Sequence, residues 1–182
     1  MHQTREQLDA GLAQIRESPR DQGTLELITY RPALDERVVV DVATLDLAVG
    51  LVGDTWNMRP SSRTADRSPH PDMQLTVMNA RVIALVAGDR ERWPLAGDQL
   101  YVDLDLGADN LPPGTQLQIG EAVVMVTAQP HTGCAKFIAR FGSDAQRWVN
   151  SPTGRALNLR GINTRVVTPG QIRRSDPVRK LA

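Results

Sequence analysis

Residues 96–128 read AGDQLYVDLDLGADNLPPGTQLQIGEAVVMVTA, and this stretch decides the fold class. Leu100, Val102, Leu104 and Leu106 alternate with Tyr101, Asp103 and Asp105. A period of two is the signature of a half-buried strand. Asn110–Leu111–Pro112–Pro113–Gly114 then forms a turn, because proline fixes φ and glycine frees it. Leu117 and Ile119 begin a second strand, and Gly120–Glu121 turns the chain again. Ala122 to Ala128 is apolar at successive positions, which predicts a strand covered on both faces. Short strands joined by Gly/Pro turns belong to a barrel or a sandwich.

The flanking sequence extends that reading. Residues 4–17 place Leu8, Leu12 and Ile15 at helical spacing, and Thr4 with Gln7 forms a capping box. Leu25–Tyr30 and Val38–Val42 read as strands joined by a hairpin loop over residues 31–36. Residues 59–72, RPSSRTADRSPHPD, carry three prolines and almost no apolar side chains, the composition of a surface loop. Residues 75–88 combine a strand with a short helix at Ala80–Ala87. Beyond Cys134, Phe137, Ile138 and Phe141 fall on one helical face, and Ser143 with Gln146 offers a second capping box. Ile162–Val167 and the segment around Ile172 are further strands. Strands do not alternate regularly with helices, so the expected fold is mainly β with helical insertions (α+β), a single domain. Residues 1–46 are expected to supply a helix and strands that pack on a barrel formed by residues 47–182.

The 182 residues suffice for one ordinary core. With 21 basic and 21 acidic side chains and 41% hydrophobic residues, the chain is neither disordered by composition nor a basic nucleic-acid coat. Aromatics are 4%, so aliphatic side chains must fill the core. The N-terminus MHQTREQLDAGLAQIRESPR is charged throughout and lacks the apolar stretch of a secretion signal, and no apolar run approaches a membrane span. A soluble, cytoplasmic protein is expected, with no membrane partner. Charge is segregated: residues 95–129 hold five acidic and no basic side chains, whereas residues 155–182 hold seven basic ones against Asp176 alone. Only Lys136 and Lys180 among the cations are lysines, and arginine's planar fork suits phosphate or carboxylate.

The densest chemistry is Gln129–Pro130–His131–Thr132–Gly133–Cys134–Ala135–Lys136. A strand ends, a Pro/Gly loop follows, and the only cysteine opens a helix. Free amide groups and the helix dipole stabilise an anion at such a terminus. A thiolate is favoured there, with His131 and Lys136 as groups that tune it. The plainer alternative is a buried sulfur acting as a small hydrophobe. No zinc site is expected, because His2 and His70 lie in other segments and a single cysteine makes no Cys-rich module. Asn158–Leu159–Arg160–Gly161–Ile162–Asn163 brings amide and guanidinium groups to a strand start, where glycine permits close approach of the backbone.

These residues together resemble the MOSC domain family, named from the C-terminal domain of molybdenum-cofactor sulfurases. The resemblance runs from about Leu47 to Lys180. Gly53–Asp54 resembles its early Gly-Asp turn, and Ala96–Gly97–Asp98–Gln99–Leu100 its A-G-E-N-L stretch, with Gln99 where Asn is frequent. Leu111–Thr115 and Leu117–Gly120 resemble its proline turn and following strand, Pro130–Cys134 its cysteine loop, and Gly161–Asp176 its closing strands. Ser175–Asp176 stands where Gly-Asp is usual, and Thr55 follows the early turn in place of histidine. The resemblance implies a MOSC-type β-barrel with one of two chemistries at Cys134. It carries sulfur as a persulfide received from a pyridoxal-phosphate desulfurase, or it ligates the molybdenum of a molybdopterin cofactor. The activity expected is therefore that of a sulfur transferase or a molybdenum-dependent oxidoreductase. The catalytic set is Cys134, His131 and Lys136. The cofactor-binding set is Asn158, Arg160, Gly161, Asn163, Thr132, Gly133, Asn79, Arg81 and Arg140. A desulfurase or redox partner would be a separate chain, since no pyridoxal-phosphate lysine motif is present. Two other readings remain open: a non-catalytic module that docks partners through its basic C-terminal surface, and a barrel without chemistry. The partner of such a module would be nucleic acid or an acidic protein; nucleic acid is the less expected, because few aromatics interleave with the arginines and single-strand binding is weakened.

Overall fold

The computed structural model describes residues 2–181. Its elements are α1 (Arg5–Ala10), α2 (Leu12–Arg16), β1 (Gln22–Tyr30), β2 (Val38–Val40), β3 (Val42–Asp46), β4 (Gly50–Leu51), β5 (Leu75–Asn79), α3 (Ala80–Ala87), β6 (Leu100–Asp103), β7 (Gln116–Ile119), β8 (Ala122–Val126), α4 (Ala135–Val149), α5 (Pro152–Ala156), β9 (Ile162–Thr168), β10 (Gly170–Arg173) and β11 (Pro177–Lys180). Short 3-10 turns occupy Trp56–Met58, Pro71–Met73 and Arg90–Ala96.

Seven strands close on themselves in the order β11, β7, β8, β9, β5, β6, β1, with β1 returning to β11. The β5–β6 pair is parallel, and every other junction of the ring is antiparallel. A parallel pair needs a crossover, which α3 and the Arg90–Ala96 turn provide. The fold is thus a mixed β-barrel with a few helices. β2 pairs with the end of β1 at Ile28–Tyr30, beyond the stretch that meets β11, and β3, β4 and β10 form a small second sheet.

Closure gives each strand an inward and an outward face. The inward set is aliphatic: Leu25, Ile28, Val77, Leu100, Val102, Leu117, Ile119, Val124, Ile162 and Val178 belong to one cluster. The helices cover part of the outside through a second cluster containing Leu8, Met78, Ile83, Trp93, Tyr101, Phe137, Phe141 and Trp148. Five of the seven aromatic residues therefore sit between barrel and helices, so aliphatic residues do fill the barrel itself.

Several expectations are refined by this layering. Tyr101 is fully buried because the helical layer covers that face of β6, so the strand is not half-exposed. The strand also ends at Asp103, and Leu104 and Leu106 pack into the core from irregular chain beyond it. β8 stops at Val126 and alternates between buried and half-buried positions, because its outer face carries no helix. Gly11 divides the first helix into two, with its Cβ position filled by the Leu85 side chain. The Thr4–Gln7 capping box is present. Within α4, Gly142 has φ +89° and kinks the helix; before the kink, Phe137 and Phe141, four residues apart, are buried, while Ile138, one residue round the helix, is 40% exposed.

Candidate functional site

The cysteine loop leaves the end of β8 and enters α4. Cys134 is the N-cap residue of α4, with extended backbone and an exposed side chain. The loop is pinned at its last residue before the sulfur. Gly133 donates its amide to Asn150 Oδ1 at 3.0 Å, and its carbonyl accepts from Asn150 Nδ2 at 3.0 Å and Gln146 Nε2 at 3.3 Å. Both partners lie on or at the end of α4, so the helix that starts at Cys134 also fixes the loop leading to it.

Cys134 lines a cavity of about 150 Å³ with Lys136, Arg140, Arg31, Arg37 and Arg59 among its walls. A second cavity of about 360 Å³ shares Arg31 and Arg59, and adds Arg63, Trp56, His70, Thr76, His131, Thr132 and Asn163. Arg31 and Arg59 thus form the seam between them. A third space of about 210 Å³ lies against His131, Asn158, Gly161 and Asn163.

Each cation at this seam arrives from a different segment. Arg31 directly follows β1 and is fixed by Asp54. Its Nε lies 2.8 Å from Oδ2, its Nη2 2.7 Å from Oδ1, and its amide donates to Oδ2 at 2.9 Å. Asp54 Oδ1 also accepts from the Trp56 amide at 2.8 Å. Burial pushes the Asp54 carboxyl up, but Arg31 and these amides together hold it below the ordinary value. The Gly-Asp turn is therefore the anchor of an arginine. Arg59 is held by Thr55 Oγ1 at 3.0 Å and 3.2 Å. Burial, then the neighbouring charges of Arg140, Arg31 and Arg59, lowers the affinity of Arg37 for its proton, and burial with Arg31 does the same to Arg59. Arg37 Nε is buried with no partner. Such crowding of like charge is unfavourable in the protein alone and favourable once an anion enters.

Beneath the seam lies a buried ion pair. Arg160 Nη1 is 2.6 Å from Asp98 Oδ2, and Arg160 Nη2 donates to the Ala96 carbonyl at 2.8 Å. Its guanidinium stacks on Phe137, 5.0 Å from the ring centre. Burial raises the Asp98 carboxyl, against the pull of Arg160. His131 Nε2 stands 3.6 Å from Asp98 Oδ1, too far for a hydrogen bond, and that oxygen has no other partner. Burial, then Arg160, Arg31 and Arg63, pushes His131 well below its ordinary value of 6.5, so the imidazole is neutral at pH 7.

The residues singled out from the sequence are distributed as follows. Cys134, Lys136 and Arg140 share one cavity. His131, Thr132 and Asn163 line the neighbouring one. The groups expected to tune the thiol are both engaged: Lys136 Nζ lies 3.1 Å from Asp35, and His131 faces Asp98. Asn163 donates to the Gln129 carbonyl while its Oδ1 is buried without a partner. Gly161 has φ +102°, and a Cβ there would lie 2.3 Å from the Val77 carbonyl oxygen. Asn158 adopts φ +47° and donates to the Leu106 carbonyl. Arg160 supports the site from below. Asn79 and Arg81 are elsewhere. Asn79 caps α3 and donates to Ser18 Oγ and the Leu104 carbonyl, and Arg81 is paired with Asp103 at 2.7 Å. The strand-to-helix change at Asn79 is thus a capped junction remote from the cysteine cavity. Arg31, Arg37, Arg59, Arg63, Asp35 and Asn150 were not singled out. The one sequence signal for any of them was the excess of arginine over lysine.

Four of the seven cations of the basic C-terminal stretch are paired. Arg160, Arg165, Arg174 and Lys180 each face an aspartate, at 2.6, 3.6, 3.0 and 2.8 Å. No described helix is long and apolar enough to cross a membrane. Among the described residues no group of three or more His, Cys, Asp or Glu side chains is arranged to hold a metal ion.

A closed β-barrel with a few helices is the fold that the sequence resemblance implied, and Cys134 stands on the loop expected to carry it. Residues 66–179, more than half of the chain, match the MOSC domain. The chain belongs to the MOSC domain family. Solved structures with the same fold include the YuaD protein from Bacillus subtilis, at 18% identity and TM-score 0.59, covering 86% of this chain and 94% of that one. YiiM from Escherichia coli follows at 23% identity and TM-score 0.56, covering 87% and 70%, and YiiM from Geobacillus stearothermophilus at 16% and 0.55, covering 90% and 74%. No curated protein matches the chain.

Proposed function

We propose that the chain binds a molybdenum cofactor in the paired cavities, with Cys134 as the metal's protein ligand. The observation that carries this reading is the wall of the smaller cavity: an exposed thiol among Arg31, Arg37, Arg59 and Arg140. The MOSC family is associated with molybdenum cofactor binding in general. The residues fit such a group in two respects. A thiolate is a soft ligand suited to molybdenum. Crowded guanidinium groups, one with a buried Nε lacking any partner, suit a phosphate. Arg37, Arg59 and Arg140 would hold the phosphate and Cys134 the metal. When bound, the group supplies two-electron redox chemistry. Arg31, fixed by Asp54, orients the ligand at the seam, and Trp56 gives the larger cavity an apolar wall that limits water. Neutral His131 offers one ring N–H donor and one ring nitrogen acceptor for hydrogen bonds on the side of the larger cavity.

The exposure of Cys134 favours a second reading, sulfur carriage. The thiolate attacks the terminal sulfur of a donor persulfide, forms the new S–S bond, and releases the donor's thiolate. A desulfurase on a separate chain would be that donor.

One experiment separates the readings. The protein and its Cys134→Ser variant are purified from a host that makes the cofactor, and molybdenum and pterin are measured per chain. Near-stoichiometric molybdenum, lost in the variant, supports cofactor binding. Molybdenum absent from the wild type, together with a persulfide on Cys134 after incubation with a desulfurase and cysteine, moves the conclusion to sulfur carriage. Absence of both removes each reading.

A further inference from the structure

The loop from β1 to β2 carries Asp35, whose side chain does not belong to the barrel. Its carboxylate lies 3.1 Å from Lys136 Nζ and 3.5 Å from Arg140 Nη2, two cations of α4 that line the Cys134 cavity. Asp35 lines the same cavity, with Leu34 beside it 78% exposed. The backbone of Asp35 is left-handed, at φ +60°, a conformation uncommon outside glycine, asparagine and aspartate. The loop is tied to α4 by these two ion pairs, with Arg140 also donating to the Leu95 carbonyl at 2.7 Å. Both pairs are exposed on the Asp35 side, at 60%. Exposed pairs are weak and exchange readily.

We propose that Asp35 is a built-in competitor: its carboxylate occupies the Lys136–Arg140 cation pair at the cysteine cavity, and an anionic ligand binds there by displacing it. This inference rests on the anion-binding reading above and adds a residue that sets the affinity. The remaining carboxylates around the site have other duties. Asp54 is fully engaged with Arg31, and Asp98 is buried with Arg160. Asp35 alone among the three is exposed, weakly paired, and placed on cations that line the cavity. The incoming group must outcompete one carboxylate, so dilute weak anions are kept out.

The test uses the single cysteine as its reporter. The rate of Cys134 alkylation by iodoacetamide, a neutral reagent, is measured at pH about 8 against added inorganic phosphate, which is mostly dianionic there. Acetate is titrated in parallel at matched ionic strength, because salt screens exposed charges. The proteins are wild type, Asp35→Asn and Glu36→Gln. Asparagine tolerates the left-handed backbone, and Glu36→Gln changes the net charge equally without touching the cation pair. Phosphate is expected to protect the thiol in wild type. In Asp35→Asn the protecting concentrations of both anions fall together by roughly 2- to 6-fold, the reach of an exposed pair. Glu36→Gln leaves them within experimental error of wild type. Equal midpoints in wild type and Asp35→Asn, or the same fall in Glu36→Gln, overturn the role of Asp35 while leaving the anion cavity intact. Absence of protection in all three proteins overturns the anion cavity and this inference with it.

Discussion

Arg160 meets Asp98 at 2.6 Å beneath the cavities, with both side chains almost wholly removed from solvent. Removing one member of such a pair leaves an uncompensated buried charge. Arg160→Leu is therefore expected to lose about 3–5 kcal/mol of stability. The double change Asp98→Leu with Arg160→Leu should lose less than the sum of the single changes. Urea unfolding of the four proteins measures this, and strict additivity would contradict it.

Acid should weaken the fold through His131. The folded protein holds this imidazole well below 6.5, so the unfolded chain binds more protons in the window beneath that value. Stability contributed by the neutral imidazole is present above about 6.5 and is lost as pH falls through the folded value. His131→Asn should flatten the stability profile in that window. Thermal or urea unfolding between pH about 4.5 and 7.5 tests it, and an unchanged slope in the variant would count against it.

Gly161→Ala should be among the more damaging small substitutions. The backbone sits at φ +102°, and the added carbon meets the Val77 carbonyl oxygen on the neighbouring β5. Strained backbone alone costs about 1–3 kcal/mol, and the clash adds to it. A lower midpoint in denaturant unfolding is the expected result, and an unchanged midpoint would contradict it.

Asp54→Asn should separate binding from folding less cleanly than Cys134→Ser. The first leaves Arg31 without its carboxylate and is expected to cost about 1–3 kcal/mol. The second changes an exposed side chain and should stay within about 0.5 kcal/mol of wild type. Both should lose bound cofactor. Unfolding curves beside molybdenum content provide the comparison.

Much of the architecture was legible in residues close to one another. The Ala80–Ala87 helix follows its strand as read, because Asn79 supplies a cap to an apolar run. Cys134 opens a helix as its Pro/Gly loop implied. What stayed hidden is the set of arginines that faces the sulfur. Arg31, Arg37 and Arg59 are separated from Cys134 by about a hundred or fewer residues of chain and carry no local motif. Closure of the barrel brings their loops together, and no periodicity records it. Asn79 and Arg81 illustrate the converse. Their residue types suit an anion, but one is consumed as a helix cap and the other by Asp103.

Ring closure depends on β1 meeting β11, Gln22 opposite Arg179 and Thr24 opposite Pro177. On the ribosome the first of these strands emerges more than a hundred residues before the last. Until residues 177–180 leave the exit tunnel, β1 and β7 keep unpaired edges open to neighbouring chains. Nascent molecules are thus exposed to edge-to-edge association from the emergence of β1 until that of β11.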